Sequence, residues 1–311
     1  MGTPHFSLPA LKAIHENFDL VGVFTQPDKE VGRGRKVQFP PVKNQALDFD
    51  VPVFQPEKMK EPSAMDALRG LKPDCIVVAA YGQILKQEVL DLPSLGCINI
   101  HSSLLPRWRG AAPINWAILE GDLESGVTTM HMALKLDAGD ILMTEVTPIG
   151  PEETAGELHD RLAEMGAPLI VQTLKRLEKG DLKGTPQNEV KVTYASKLSK
   201  DMQWLDPNSS VQELHRKVRA LYPWPGSRLK LENLGVIKVH QVRLHPNLKV
   251  EPQRLQEKNG MLLVGGCGPQ GALEVVSLQL EGKKVCSAQD FFNGLKGQGV
   301  SLPDQVVSHE S

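Results

Sequence analysis

The first half of the chain alternates short apolar runs with segments of helical pattern, and this alternation strongly limits its fold. Apolar runs typical of strands lie at residues 20–25, 75–79, 97–100, 127–132 and 141–147. Helical candidates lie between several of them, which is the strand–helix–strand order of a doubly wound, mostly parallel sheet. Because ligands bind beyond the carboxyl ends of the strands in such sheets, we expect the functional site at the strand ends.

The second half follows a different pattern. Residues 154–179 form the longest helical segment, in which Gly166 and Pro168 are expected to kink or divide the helix. After a helical piece at 211–221, short alternating runs are separated by Gly and Pro, at 228–231, 236–244, 261–264 and 272–280. Short strands punctuated in this way are typical of a small β-barrel.

The length of 311 residues exceeds that of a typical single core, so two domains are expected. We predict an α/β domain at 1–180, a linker at 181–203 and a β-barrel domain at 204–311. The net charge of −2 argues against a generally basic nucleic-acid binder, although a local basic surface is compatible with that sum. No apolar run approaches the ~20 residues of a membrane-spanning helix. The four cysteines lack zinc-type spacing, and reduced thiols in a cytoplasmic protein are expected.

The run from Cys97 to Pro113 is the most informative motif. Asn99 and His101 end an apolar strand, and because they are two residues apart their side chains lie on the same side of the pleat. A turn follows them, and Leu136-Asp137-Ala-Gly-Asp140 supplies carboxylates further along the chain. An amide, an imidazole and a carboxylate at one strand end could carry acid–base chemistry at a carbonyl. The alternative is a hydrogen-bonded histidine beside an ordinary turn.

These residues closely resemble the folate-dependent formyltransferases, whose sites combine Asn, His and Asp with a Ser-Leu-Leu-Pro turn. The run Arg107-Trp-Arg-Gly-Ala-Ala-Pro113 is similar to the methionyl-tRNA formyltransferase branch of that family. The resemblance implies a Rossmann-like catalytic domain that transfers the formyl group of 10-formyltetrahydrofolate to methionine on initiator tRNA. Formyl transfer to another amine such as an amino-sugar nucleotide, hydrolysis of the formyl folate, and a non-catalytic RNA-binding relative are the alternatives.

The resemblance also implies the roles of the motif residues. His101 is the expected general acid and base, because an imidazole titrates near neutral pH. Asn99 can donate its amide N–H to the developing oxyanion without the cost of a charge. Asp137 could orient the imidazole or order a water that relays the proton, and Asp140 competes with it for that role.

Folate binding is expected at two segments, on the resemblance. One is the Ser-Leu-Leu-Pro turn, and the other follows the strand that ends at Ala80; their residues are Ser103, Leu104, Leu105, Pro106, Tyr81, Gln83, Ile84 and Leu85. Apolar side chains with nearby backbone polar groups suit a ring system such as a pterin. An ordinary packed strand end would have the same pattern. No motif implies a metal.

Transfer RNA is the expected partner, together with the folate, and the protein is expected to act as a monomer. The resemblance assigns tRNA contact to a glycine-rich basic loop containing Arg33, Arg35 and Lys36, and to an oligonucleotide-binding (OB)-type barrel at 204–311. Guanidinium groups suit phosphates and stacked bases. A phosphate cradle and a solvated charged loop are the other interpretations of the basic run, which lacks the Gly-Lys-Ser/Thr ending of a P-loop.

The chain departs from the family at its beginning. The family opens with an apolar strand that leads into Gly-Thr-Pro, whereas this sequence starts at Met1-Gly-Thr-Pro4. By this comparison we expect the first strand of the sheet, about eight residues, to be missing from the sequence. In doubly wound sheets that strand is usually internal, so unpaired ladder groups are expected in the core. Translation from a start upstream of Met1, or truncation of the chain, would account for this, and a native fold adapted to the loss is the alternative. An organellar location would follow if a targeting segment preceded Met1.

Overall fold

The computed structural model describes residues 1–31, 35–267, 271–298 and 302–309. They form two compact units. The first comprises Met1–Pro113, Glu124–Pro148 and His159–Ala195, and the second comprises Ile114–Leu123, Ile149–Leu158 and Ser196–Ser311. Residues 181–195 therefore pack within the first unit and residues 196–203 within the second.

The first part of the chain, up to residue 195, alternates helices and strands as the sequence predicts. Its α-helices are α1 (Leu8–Asn17), α2 (Pro41–Asp48), α3 (Pro62–Leu71), α4 (Gln87–Leu90), α5 (Pro113–Glu120) and α6 (Ala155–Glu178). Its strands are β1 (Val23–Phe24), β2 (Lys29–Val31), β3 (Lys36–Gln38), β4 (Val53–Phe54), β5 (Ile76–Val78), β6 (Cys97–His101), β7 (Arg109–Gly110), β8 (Glu124–His131), β9 (Ile141–Pro148) and β10 (Tyr194–Ala195). Short 3-10 helices lie at His5–Ser7, Glu189–Lys191 and Lys200–Gln203.

The main sheet of this unit has the order β5-β6-β8-β9, and it is mixed rather than mostly parallel. β5 and β6 run parallel, whereas β6 pairs antiparallel with β8 and β8 with β9. Parallel neighbours need a crossover of a dozen or more residues, and the loop from β8 to β9 is too short for one. The α/β architecture is confirmed, and the predicted strand direction is wrong for β8, which runs opposite to β5, β6 and β9.

Met1 and Gly2 lie between β1 and β5 and bond to both strands. The Gly2 amide donates to Phe24 O at 3.0 Å, and the Ala79 amide donates to Met1 O at 3.0 Å. The Met1 amine donates to Val77 O at 2.7 Å, and burial lowers the pKa of this amine to about 6. Beside this bridge lies a cavity of about 640 Å³, lined by apolar side chains that include Leu11, Val23, Ile76 and Leu174.

Helix α6 covers one face of the main sheet. A Cβ atom at Gly166 would lie 3.1 Å from Ile100 Cγ2, so the helix approaches β6 closely at this glycine. The hydroxyls of Thr173 on α6 and Thr129 on β8 are 2.8 Å apart. Ile100 thus faces α6, and the pleat directs Asn99 and His101 to the opposite face. The helix continues through Pro168 as one element and is not divided there.

The second unit contains a closed ring of antiparallel strands. These strands are β11 (Ser227–Leu231), β12 (Gly235–His245), β13 (Arg254–Lys258), β14 (Met261–Val264), β15 (Ala272–Leu280) and β17 (Asp304–Val307), with β16 (Cys286–Ser287) outside the ring. Their order is β12-β11-β17-β13-β14-β15, and pairing of β15 with β12 closes the ring. Buried side chains that include Leu229, Ile237, Leu262 and Val275 fill its interior.

Two helices accompany these strands, α7 (Val211–Leu221) and α8 (Ala288–Gln298). Ser210 and Glu213 form a reciprocal capping box at the start of α7. The predictions of α7 and of the strands β11, β12, β14 and β15 are confirmed to within one residue. Across the described ranges, no helix is long and apolar enough to cross a membrane.

Candidate active site

Strand β6 carries Asn99 and His101 at its carboxyl end, in the middle of the main sheet. Val78 at the end of β5 pairs with Asn99, so the residues after β5 and the end of β6 meet at one edge. Thr128 of β8 pairs with His101 on the other side. The predicted strand and the predicted placement of the amide and the imidazole at its end are therefore confirmed.

The His101 ring is buried and held by a backbone group. Its Nε2 lies 2.9 Å from the carbonyl oxygen of Trp108. Because a carbonyl oxygen only accepts hydrogen bonds, Nε2 carries the ring proton and is the donor of this hydrogen bond. In the neutral ring Nδ1 then has a free lone pair. Trp108 reaches this position with a left-handed backbone, at φ 64°.

Asp137 faces the other ring nitrogen. Its Oδ2 lies 3.8 Å from His101 Nδ1 and accepts a hydrogen bond of 2.9 Å from the Gly110 amide. Asp137 also has a left-handed backbone, at φ 46°. Asp140 lies elsewhere in the same loop and packs closely against Gly184. A Cβ atom built on Gly184 would lie 2.6 Å from the Cβ atom of Asp140. Of the two aspartates, the structure pairs Asp137 with the imidazole.

Asn99 is half-buried at the same strand end. Within the described ranges its side chain makes no hydrogen bond and no ion pair. An amide that no protein group engages is available to a bound molecule, and it can donate to an oxygen atom without introducing charge.

The Ser-Leu-Leu-Pro turn is held by hydrogen bonds of its own residues. Ser103 Oγ donates to Arg107 O at 2.7 Å, and Thr128 Oγ1 donates to Ser103 O at 2.7 Å. The side chains of Ser103 and Leu105 are buried, whereas Leu104 and Pro106 are half-buried. The hydroxyl of Ser103 therefore shapes the turn, and the two half-buried side chains are its accessible part.

The segment after β5 divides in the same way. Tyr81 and Leu85 are buried in a core cluster, and burial raises the pKa of the Tyr81 phenol. Gln83 accepts from the Met59 amide at 2.8 Å and donates to Pro56 O at 2.9 Å, so its side chain ties two segments together. Ile84 is 91 % exposed. Among these four residues, Ile84 presents the side chain that a ligand can reach.

The basic loop is described in part. Arg33 lies outside the described residues. Arg35 is exposed and left-handed at φ 45°, with its Nε 3.8 Å from Glu30 Oε2. Lys36 begins β3, which pairs antiparallel with β2.

Residues after α6 complete the support of the site, and sequence reasoning missed them. Strand β10 pairs in parallel with β7, the strand that follows Trp108. Thr193 Oγ1 accepts from the Trp108 amide at 2.9 Å, and Thr193 O accepts from the Arg109 amide at 2.9 Å. The lack of apolar periodicity from Gly180 to Lys200 predicted a linker. A two-residue strand with one buried side chain leaves no periodic signal, so only the chemistry of the polar residues could have revealed this contact.

Comparison with known proteins places this geometry in a family. The family model described as "Formyl transferase" matches residues 3–174, and "Formyl transferase, C-terminal domain" matches residues 197–296. The chain belongs to the formyltransferase family. A methionyl-tRNA formyltransferase of Marinobacter nauticus is 48% identical to this formyltransferase, over 99% of the chain and 98% of the relative. Another, from Pseudomonas putida, is 47% identical over 94% of each chain.

Solved structures show the same fold at lower identity. A sugar 3N-formyltransferase, determined in the presence of dTDP and 5-N-formyl-tetrahydrofolate, has a TM-score of 0.66 at 20% identity. The comparison covers 88% of this formyltransferase and 95% of that chain. An N-formyltransferase of Helicobacter canadensis, in complex with folinic acid and dTDP-3-aminofucose, has a TM-score of 0.65 at 18% identity, covering 88% and 97%. In the described part of this formyltransferase, no group of three His, Cys, Asp or Glu side chains could hold a metal ion.

Proposed function

We propose that this formyltransferase transfers the formyl group of 10-formyltetrahydrofolate to the α-amine of methionine carried by initiator tRNA, in the cytoplasm. The arrangement around His101 carries the proposal, because Nε2 is engaged by Trp108 O and Nδ1 has a lone pair beside Asp137. The identity of 48% to a methionyl-tRNA formyltransferase, over nearly the whole of both chains, supports this acceptor.

The reaction is acyl transfer through a tetrahedral carbon. The neutral amine attacks the formyl carbon, and His101 Nδ1 takes the proton that the amine loses. The unengaged Asn99 amide donates to the oxyanion that develops on the formyl oxygen. When the bond between the formyl carbon and folate N10 breaks, the imidazolium gives its proton to N10. Asp137, 3.8 Å away, stabilises the positive charge between these two steps.

For the folate, we propose the edge where the segment after β5 meets the Ser-Leu-Leu-Pro turn. Exposed Ile84 and half-buried Leu104 and Pro106 supply apolar contact there. The backbone around this edge belongs to the other residues of the two segments, Tyr81, Gln83, Leu85, Ser103 and Leu105. Their carbonyl and amide groups are suited to the polar edge of a pterin.

For the tRNA, we propose the basic loop with Arg33, Arg35 and Lys36 and an OB-type barrel at 204–311. Exposed Arg35 in the loop can reach a polyanion. Closed antiparallel barrels of this size offer an outer strand face and loops to an oligonucleotide. Residues 1–180 form the catalytic domain of this scheme together with residues 181–195, which pack within the first unit.

One assay tests the proposal. The purified protein is given formyl-labelled 10-formyltetrahydrofolate with methionyl initiator tRNA, methionyl elongator tRNA, an amino-sugar nucleotide or buffer alone. We expect label in methionine on the initiator tRNA and much less with each other acceptor. Transfer to the sugar amine, release of free formate, or tRNA binding without transfer would each replace the proposal with a different activity.

A further inference from the structure

We propose that Gln187 is a positioning residue that holds Asp137 at His101; this inference rests on the proposed function. Gln187 Nε2 donates to the carbonyl oxygens of Asp137 and Gly139, each at 2.8 Å. These carbonyls flank Ala138 at the tip of the loop. One side chain thus fixes the backbone on both sides of the turn that presents the carboxylate.

Arg109 fixes the orientation of the Gln187 amide. The Arg109 Nε–H donates to Gln187 Oε1 at 3.0 Å. Because a guanidinium only donates, the oxygen of the amide must face it, and the NH₂ group must face the two carbonyls. The Arg109 side chain is fully buried, and its Nη2 donates to Glu189 Oε1 at 2.8 Å. A buried cation held at two points is a rigid support for Gln187.

The loop needs such a support because its backbone is strained. Asp137 has φ 46°, in the left-handed region that residues with a side chain adopt rarely. Without the two hydrogen bonds, the turn could relax and carry the carboxylate away from both the Gly110 amide and His101. The imidazolium of the proposed mechanism would then lose its counter-charge, while the folate and tRNA surfaces would stay as they are.

Kinetics of Gln187→Ala and Gln187→Glu in the full chain test this inference. A carboxylate at 187 can still accept from Arg109 but cannot donate to the two carbonyls, so both variants are expected to lose turnover. We expect kcat to fall by ~10- to 100-fold, the range for a misplaced catalytic group, with KM for folate and tRNA changed less than about twofold. The matched control is Asn188→Ala in the same segment. The Asn188 Oδ1 atom accepts a hydrogen bond of 3.1 Å from the Val190 amide, and loss of this bond should leave kcat unchanged.

A double-mutant cycle separates positioning from a purely structural role. In an Asp137→Asn background, Gln187→Ala is expected to have little further effect on kcat, because the group it positions is already lost. Independent losses that multiply would overturn the inference. So would an unchanged kcat, or a rise in KM alone.

Amide hydrogen exchange at Gly110 gives a readout that does not depend on the substrate. This amide donates to Asp137 Oδ2, so Gln187→Ala is expected to speed its exchange relative to wild type and to Asn188→Ala. Unchanged protection would overturn the inference even if the wild-type enzyme is fully active. A wild type that formylates no methionyl-tRNA would instead reject the proposed function, and the exchange result would still stand.

Discussion

His101 Nε2 donates to the backbone oxygen of Trp108, so the imidazole is oriented by the main chain and not by an aspartate. Orientation of the ring by Asp137 was one role that the sequence suggested for this residue. At 3.8 Å from Nδ1, its carboxylate instead lies on the side of the ring where the proton arrives. The reactive nitrogen of the proposed mechanism is therefore Nδ1.

Two substitutions of His101 separate its chemistry from its structural bond. His101→Gln keeps an amide donor for Trp108 O but no base, so we expect near-normal thermal stability and a turnover ~10²- to 10⁴-fold lower. His101→Ala removes the same base and leaves that carbonyl unpartnered in a buried place, which should also cost ~1–3 kcal/mol of unfolding free energy. Steady-state kinetics and denaturant unfolding measure both effects. Normal turnover in folded His101→Gln would remove His101 from the mechanism.

Asp137→Asn keeps the volume of the side chain and an oxygen for the Gly110 amide, but it removes the charge. We expect kcat to fall by ~10-fold or more while folate affinity changes little, because the lost group acts on the imidazolium. Asp140→Asn in the same loop should have a smaller effect on kcat. Kinetics of the pair provide the comparison, and the reverse ranking would assign the role to Asp140.

Thr193→Val removes the hydroxyl that accepts from the Trp108 amide at 2.9 Å, at nearly constant volume. Since Trp108 holds His101, we expect a lower kcat together with a loss of ~1–3 kcal/mol in unfolding free energy. Thr185→Val is the control, because Thr185 bonds to Ile141 through its backbone and its side chain is exposed. Equal behaviour of the two valine variants would argue against a link from Thr193 to the site.

Arg33→Ala tests the proposed tRNA loop. Loss of one guanidinium that neutralises phosphate should raise KM for methionyl-tRNA, and tRNA binding should become less dependent on salt. Folate affinity should stay the same. Lys12→Ala removes one positive charge from an exposed side chain of α1 and serves as the control for net charge. Equal damage to folate affinity would place the loop at a different site.

His131 should make the protein less stable in acid. Its burial lowers the pKa of the imidazole below 6.5, and this effect is larger than the opposing attraction of Asp140. Below that pH the unfolded chain binds the proton more readily than the folded one, so the free energy of unfolding falls as the pH drops. Urea unfolding from about pH 7.5 to about pH 5 should show a shallower fall for His131→Gln than for wild type. Identical slopes would contradict this prediction.

The contiguous motif made much of the site predictable. Asn99 and His101 lie where a strand end places them, and Asp137 follows from the same pattern of residues. The direction of β8 was not predictable, because the apolar pattern of a strand does not indicate which way that strand runs in the sheet. Gln187 and Thr193 were missed for a different reason. Their roles depend on the pairing of β10 with β7, which brings together segments that are far apart in the sequence, such as Trp108 and Thr193 at a separation of 85 positions.

The pairing of β7 with β10 also has a consequence for the order in which the proposed site can assemble during synthesis. His101 and Asp137 are synthesised first, and Gln187 and Thr193, which hold the Asp137 loop and Trp108, follow about 50 or more residues later. A nascent chain that ends near residue 180 contains every residue of the motif and lacks the segment that aligns them. We therefore expect the proposed site to be aligned only after β10 has been synthesised and has paired with β7.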